Sequence, residues 1–97
     1  MVIRSFADDL TRKIFEGVQD KEVSRFPKDV LRVAQRKLDM LHYAAQVQDL
    51  SSPPGNRLEK LSGDLKGFSS IRINDQWRVV FKWNDDGPTE VRITDYH

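Results

Sequence analysis

The sequence predicts one α+β domain over residues 1–97, with two N-terminal helices packed on one face of a mostly antiparallel sheet of four to five strands. Three observations carry this expectation. Val30, Leu31, Ala34, Leu38, Leu41 and Ala45 recur at helical spacing and form an apolar stripe wide enough to bury one side of a helix. The run "WRVVFKW" at residues 77–83 instead alternates. Trp77, Val79, Phe81 and Trp83 stand against Arg78, Val80 and Lys82, the period of a half-buried strand. The period changes after "DLSSPPGN" (residues 49–56), so helices precede strands rather than alternating with them.

Each element has its own local argument. "VIRSF" reads as a short opening strand, with Val2, Arg4 and Phe6 on one side and Ile3 and Ser5 on the other. Asp8 and Asp9 suit an N-cap and first turn, Leu10, Ile14 and Phe15 supply an apolar face, and Gly17 supplies a stop. Pro27 suits the first turn of the second helix. His42, near that helix's end, reads as a surface or helix-end residue. After the Ser/Pro-rich loop, Gly63 and Asp64 mark a turn, and "FSSIRIN" reads as a strand with Ile71 and Ile73 inward and Arg72 outward. "NDDGPT" is a hairpin turn, and "EVRITDY" returns as the final strand. Helices over one sheet face leave the other free to be polar.

Composition narrows the function classes. Ninety-seven residues bury roughly 60–65% of their unfolded surface, enough to fold alone. The absence of cysteine excludes disulfides and thiolate chemistry, and two histidines 55 positions apart match no zinc-ligand spacing. "MVIRSFADDL" carries an acidic pair where a secretory signal needs an apolar run, and no apolar stretch approaches ~20 residues, so a cytoplasmic protein without membrane contact is expected. Net charge is only +1, but it is unevenly spread. Between Arg25 and Lys37, five basic residues (Arg25, Lys28, Arg32, Arg36, Lys37) meet only Asp29, and between Arg57 and Lys82 six basic residues meet three acids. Such separation fits a cationic face for a polyanion, or simply a solvated helix face beside ordinary strand charges.

RNA can be cut without a metal if two demands are met. Protons must leave the 2′-hydroxyl and reach the 5′-oxygen, and fixed cations must stabilise the extra charge on phosphorus. The terminal "DYH" offers Asp95, Tyr96 and His97 for the first, and Arg72 and Arg78 on adjacent strands offer the second. Against this, strand arginines commonly face water, and a polar chain end is commonly just an end. Alternation also puts Asp95 and His97 with Val91 and Ile93, opposite Tyr96, so the three converge only if the strand end twists.

"SSPPGNRLEKLSGDLKGFSSIRINDQWRVVFKW" followed by "DYH" resembles the HigB-type toxins of bacterial type II toxin–antitoxin modules, in the RelE superfamily. The "IRSF" opening is similar too, so the likeness runs nearly end to end, more loosely over the helices. The resemblance implies a RelE-like fold and a ribosome-dependent mRNA endonuclease that needs no metal or cofactor and arrests translation. Implied partners are a helix-turn-helix antitoxin of the HigA type, the 30S subunit and mRNA, with operator DNA reached only through the antitoxin and the free toxin monomeric. Carried over by position, Asp95, Tyr96 and His97 match the family's catalytic end motif, and Arg78 matches the arginine expected to hold the scissile phosphate. Arg57, Lys60, Lys66 and Arg72 complete the expected RNA-binding set. Some relatives carry His and Lys three residues apart before Gly63, where Glu59 and Ser62 stand here, which implies a weak or moderate toxin. Two other functions stay open: a binding inhibitor of the ribosome, or of gyrase as in the ParE branch, and an inactive toxin kept as co-repressor.

Overall fold

In the computed structural model, which describes residues 2–95, the chain runs α1 (Asp9–Glu16), α2 (Lys28–Tyr43), β1 (Glu59–Lys60), β2 (Phe68–Arg72), β3 (Trp77–Asn84) and β4 (Gly87–Asp95). The α1 boundaries follow from its ends. The Asp8 carboxylate accepts from Thr11 N at 2.8 Å, and Gly17, in the left-handed region at φ 77°, donates its N–H back to the last turn. Lys13 extends from this helix to Asp20 at 2.7 Å and ties down the turn that leads to α2. In α2, Ala34, Leu38 and Leu41 are buried, as the stripe requires. The helix stops at Tyr43, so Ala45 lies beyond it and is exposed.

The four strands form one antiparallel sheet in the order β1-β2-β3-β4. Strand β3 is central, pairing Val79 with Ile71 on one side and with Ile93 on the other. The core lies between the helices and this face: Ile14, Ala34, Leu38 and Leu41 meet Ile71, Val79, Phe81 and Val91. Two-residue closure of the last hairpin pairs Asn84 with Gly87, which adopts φ 117°.

Three details depart from expectation. "VIRSF" forms no strand. Its backbone bonds in parallel to β4 (Arg4 N to Pro88 O, Ala7 N to Val91 O), but only Phe6 and Val91 complete a bridge. The reason is a bulge in β4, where Glu90 and Val91 together face Phe81 and Glu90 takes φ 51°. There Glu90 N donates to the Ser5 hydroxyl rather than to a backbone carbonyl. Second, the expected loop at 49–56 is built from two 3₁₀ turns, Val47–Ser51, which begins before it, and Pro54–Asn56, around a fully buried Asn56. Third, the sheet's other face is not wholly open. Ser70, Arg78 and Val80 are buried there, because they sit mid-sheet with paired strands on both sides.

Candidate active site

Arg78 is an arginine held at the bottom of a cleft. Its position in β3 opposite Arg72 and Thr94 places it on the face away from the helices, where only 7% of it is exposed. Nε donates to Ser70 Oγ at 2.8 Å, and Nη2 donates to the Arg57 carbonyl at 2.6 Å. Two arginines directly across a ladder repel. Asp75 relieves this by pairing with Arg72.

Above Arg78 opens a cleft of about 240 Å³ lined by Arg57, Glu59, Arg72, Asn74, Asp75 and Arg78. Arg57 reaches it from an unusual backbone, φ 46°, which lets one residue turn its carbonyl to Arg78 and its side chain to the cleft. Strand β1 sets Glu59 opposite Ser70, and so beside Arg78's hydrogen-bond partner. The cleft therefore combines three guanidinium groups, which suit an anion such as a phosphodiester, with two carboxylates: Asp75, paired with Arg72, and Glu59, placed to take a proton. Thr94 Oγ1, on the residue opposite Arg78, is buried with no hydrogen-bond partner among the described residues.

The residues singled out from sequence divide into three places. Arg57, Arg72 and Arg78 share the cleft. Lys60 and Lys66 line a separate groove of about 470 Å³ with Phe68, Leu61 and Trp83. Asp95 stands opposite Trp77 on the helix-covered face, exposed, and accepts from Gln76 Nε2 at 3.2 Å. Tyr96 and His97 lie outside the described residues. Glu59, noted in the sequence only as a departure from relatives, enters the cleft with the arginines. The signal that could have located it was the pairing of "LEKL" with "FSSI", which is visible only as a short run after a long loop.

Lys37 leaves the cationic face to which the sequence assigned it. It is 8% exposed, and its ammonium donates to Asn56 Oδ1 at 2.5 Å. Burial, with Arg36 adding to it, lowers the pKa of Lys37 below the usual 10.5. Arg32 and Arg36 remain exposed.

A two-helix, four-stranded fold of this kind is that of a class of small bacterial toxins. It matches the YoeB/ParE toxin from Agrobacterium tumefaciens with a TM-score of 0.56 at 19% identity, covering 100% of both chains. It matches the YoeB-YefM complex from Staphylococcus aureus with a TM-score of 0.54 at 17% identity, covering 100% of this chain and 99% of the other. Sequence narrows the class. The family model described as the RelE-like toxin of type II toxin-antitoxin system HigB matches residues 4–97. Toxin HigB-1 of Vibrio cholerae serotype O1 is 41% identical over 80 residues, 82% of each chain. An uncharacterized protein of Haemophilus influenzae is 38% identical over 63 residues, 65% of this chain and 62% of its own. The chain belongs to the HigB-like toxin family of the RelE superfamily.

Proposed function

We propose that this HigB-like toxin is a ribosome-dependent mRNA endonuclease that cuts by attack of the 2′-hydroxyl, without a metal. The observation that carries the reading is the convergence of Arg57, Arg72 and Arg78 with Glu59 in one cleft on the sheet face away from the helices. In this scheme Arg78 holds the scissile phosphate from below, and Arg57 and Arg72 flank it. As the 2′-oxygen bonds to phosphorus, its proton passes to the Glu59 carboxylate. The P–O bond to the 5′-oxygen breaks and that oxygen takes a proton, leaving a 2′,3′-cyclic phosphate and a 5′-hydroxyl. His97 is the proposed proton donor, with Tyr96 before it in the end motif carried over from the family. Asp95 belongs to the same motif but stands on the helix-covered face beside Gln76, so this scheme gives it no proton-transfer step. Lys60 and Lys66 bind RNA outside the cleft. Family membership supports a helix-turn-helix antitoxin as partner, and a cytoplasmic site of action at the 30S subunit follows from the same reading. No helix among the described residues is long and apolar enough to cross a membrane.

Primer extension on transcripts from cells expressing the toxin tests this. Discrete in-frame cuts are expected with wild type and none with Glu59→Gln or His97→Ala. Growth arrest without cuts would instead indicate a binding inhibitor of the ribosome or gyrase. Absence of arrest, with intact operator repression alongside the antitoxin, would indicate a co-repressor.

A further inference from the structure

Asn56 is fully buried, yet it lies in a loop between two layers of the fold. Its side chain is fully engaged. Nδ2 donates to the Leu50 carbonyl at 3.1 Å and the Ser52 carbonyl at 3.4 Å, while Oδ1 accepts from Lys37 Nζ at 2.5 Å. Its backbone N–H closes onto Pro53 O at 2.9 Å, and the next N–H, from Arg57, closes onto Pro54 O at 3.1 Å. An apolar residue of the same size would fill the space but would not orient these carbonyls, because packing is non-directional and hydrogen bonds are not. The turn so locked delivers Arg57 in the left-handed region, with its carbonyl 2.6 Å from Arg78 Nη2.

We infer that Asn56, anchored by Lys37, is a positioning residue for the cleft: it fixes the Arg57 carbonyl that orients the Arg78 guanidinium. The inference rests on the reading of Arg78 as the phosphate-holding group. A chain of contacts supports it. The α2 ammonium and the Leu50 and Ser52 carbonyls hold the Asn56 side chain, and backbone hydrogen bonds close the turn at Asn56 and Arg57. The carbonyl of Arg57, the next residue, accepts from Arg78. Neither Asn56 nor Lys37 lines the cleft. Their loss therefore changes geometry rather than contacts with RNA. Retaining an ammonium at 8% exposure also has a cost, which a merely space-filling methionine would avoid.

The test uses the full-length toxin in two measurements. The first is cleavage on ribosomes programmed with a short mRNA. Asn56→Ala is expected to lower the saturating rate by about 10²-fold, the scale of a misplacement near 1 Å, with KM for the ribosome changed less than about twofold. The second is the Arg78 Nε–H resonance, identified by its absence in Arg78→Lys. It should shift and exchange faster with solvent in Asn56→Ala, as the guanidinium loses its orientation. Should Asn56→Ala fail to fold, Lys37→Met decides, since it removes the donor and the buried charge together; a rate loss of about tenfold is expected there. Wild-type rates in whichever of these variants is folded overturn the inference, as does an unmoved Arg78 resonance. Arg78→Ala is assayed beside them. Full cleavage by Arg78→Ala refutes the phosphate-holding reading itself, whereas normal cleavage by Asn56→Ala with a crippled Arg78→Ala refutes only the positioning role.

Discussion

Arg78 shows how a charged residue becomes part of a sheet's interior. Ser70 and the Arg57 carbonyl take its N–H groups, so the guanidinium is oriented before any phosphate arrives. Arg78→Ala should therefore raise the cleavage barrier by about 2.7–4 kcal/mol, by analogy with the loss of one oxyanion donor. Arg78→Lys should recover only part, because an ammonium cannot bond Ser70 and Arg57 as a planar fork. Single-turnover cleavage with matched circular dichroism checks both, and a folded, fully active Arg78→Ala would reject the role. Lys37 gives a residue-scale prediction in pH. Folding lowers its pKa below 10.5, so between that lowered value and 10.5 the unfolded chain holds more protons than the folded one. Stability therefore rises with pH through that window, and below it the charged ammonium weighs against the fold. Urea titrations across this range should show the rise in wild type and a flatter profile in Lys37→Met; parallel profiles would contradict it.

At the scale of elements, α1 is docked on the sheet by one hydroxyl as well as by its apolar face. Thr11 is buried, and its Oγ1 accepts from Ile93 N at 3.0 Å, so the helix caps a donor on β4 that no strand pairs. Thr11→Val keeps the shape but strands that N–H, which should cost about 1–3 kcal/mol. The urea midpoint should fall with an unchanged slope, and Thr11→Ser should recover most of the loss. An unshifted midpoint in Thr11→Val would mean that water replaces the hydroxyl freely. The bulge at Glu90 acts at the same scale. It takes up one extra residue in β4, so that Val91, Ile93 and Asp95 share the helix-covered face while Arg92 and Thr94 share the face of Val80 and Arg78. The strand end thus presents Asp95 beside Gln76 and Trp77, across the sheet from the arginine cleft.

Over the whole molecule, charge divides between surfaces that one net value of +1 conceals. With Lys37 buried, the exposed cations of α2 reduce to Lys28, Arg32 and Arg36, on the far layer from the cleft. Replacing Arg32 and Arg36 by Glu should weaken 30S binding and flatten its salt dependence, since each lost phosphate contact removes about one released counterion from the slope. Equal salt slopes for variant and wild type would assign that helix face to solvent. Much of this architecture was legible in the chain. Asp8 and Gly17 bound α1, a 3.6-residue stripe marks α2, alternation marks β3, and Asn84 to Gly87 marks the hairpin, because each signal acts between residues a few positions apart. The "VIRSF" segment misled, since its pairing depends on a bulge 85 residues away, where Glu90 N takes the Ser5 hydroxyl. Sequence alone thus determined that two helices precede the antiparallel strands, which sheet face they cover, and the presence of a strand arginine at 78. Only the tertiary structure decided that Lys37 turns inward to Asn56, that Glu59 joins Arg57, Arg72 and Arg78, and that Lys60 and Lys66 do not. Local periodicity says which way a side chain points from its own element. Which charges meet is decided by strand register and loop path, and these are set by burial and hydrogen bonds between residues far apart in the chain.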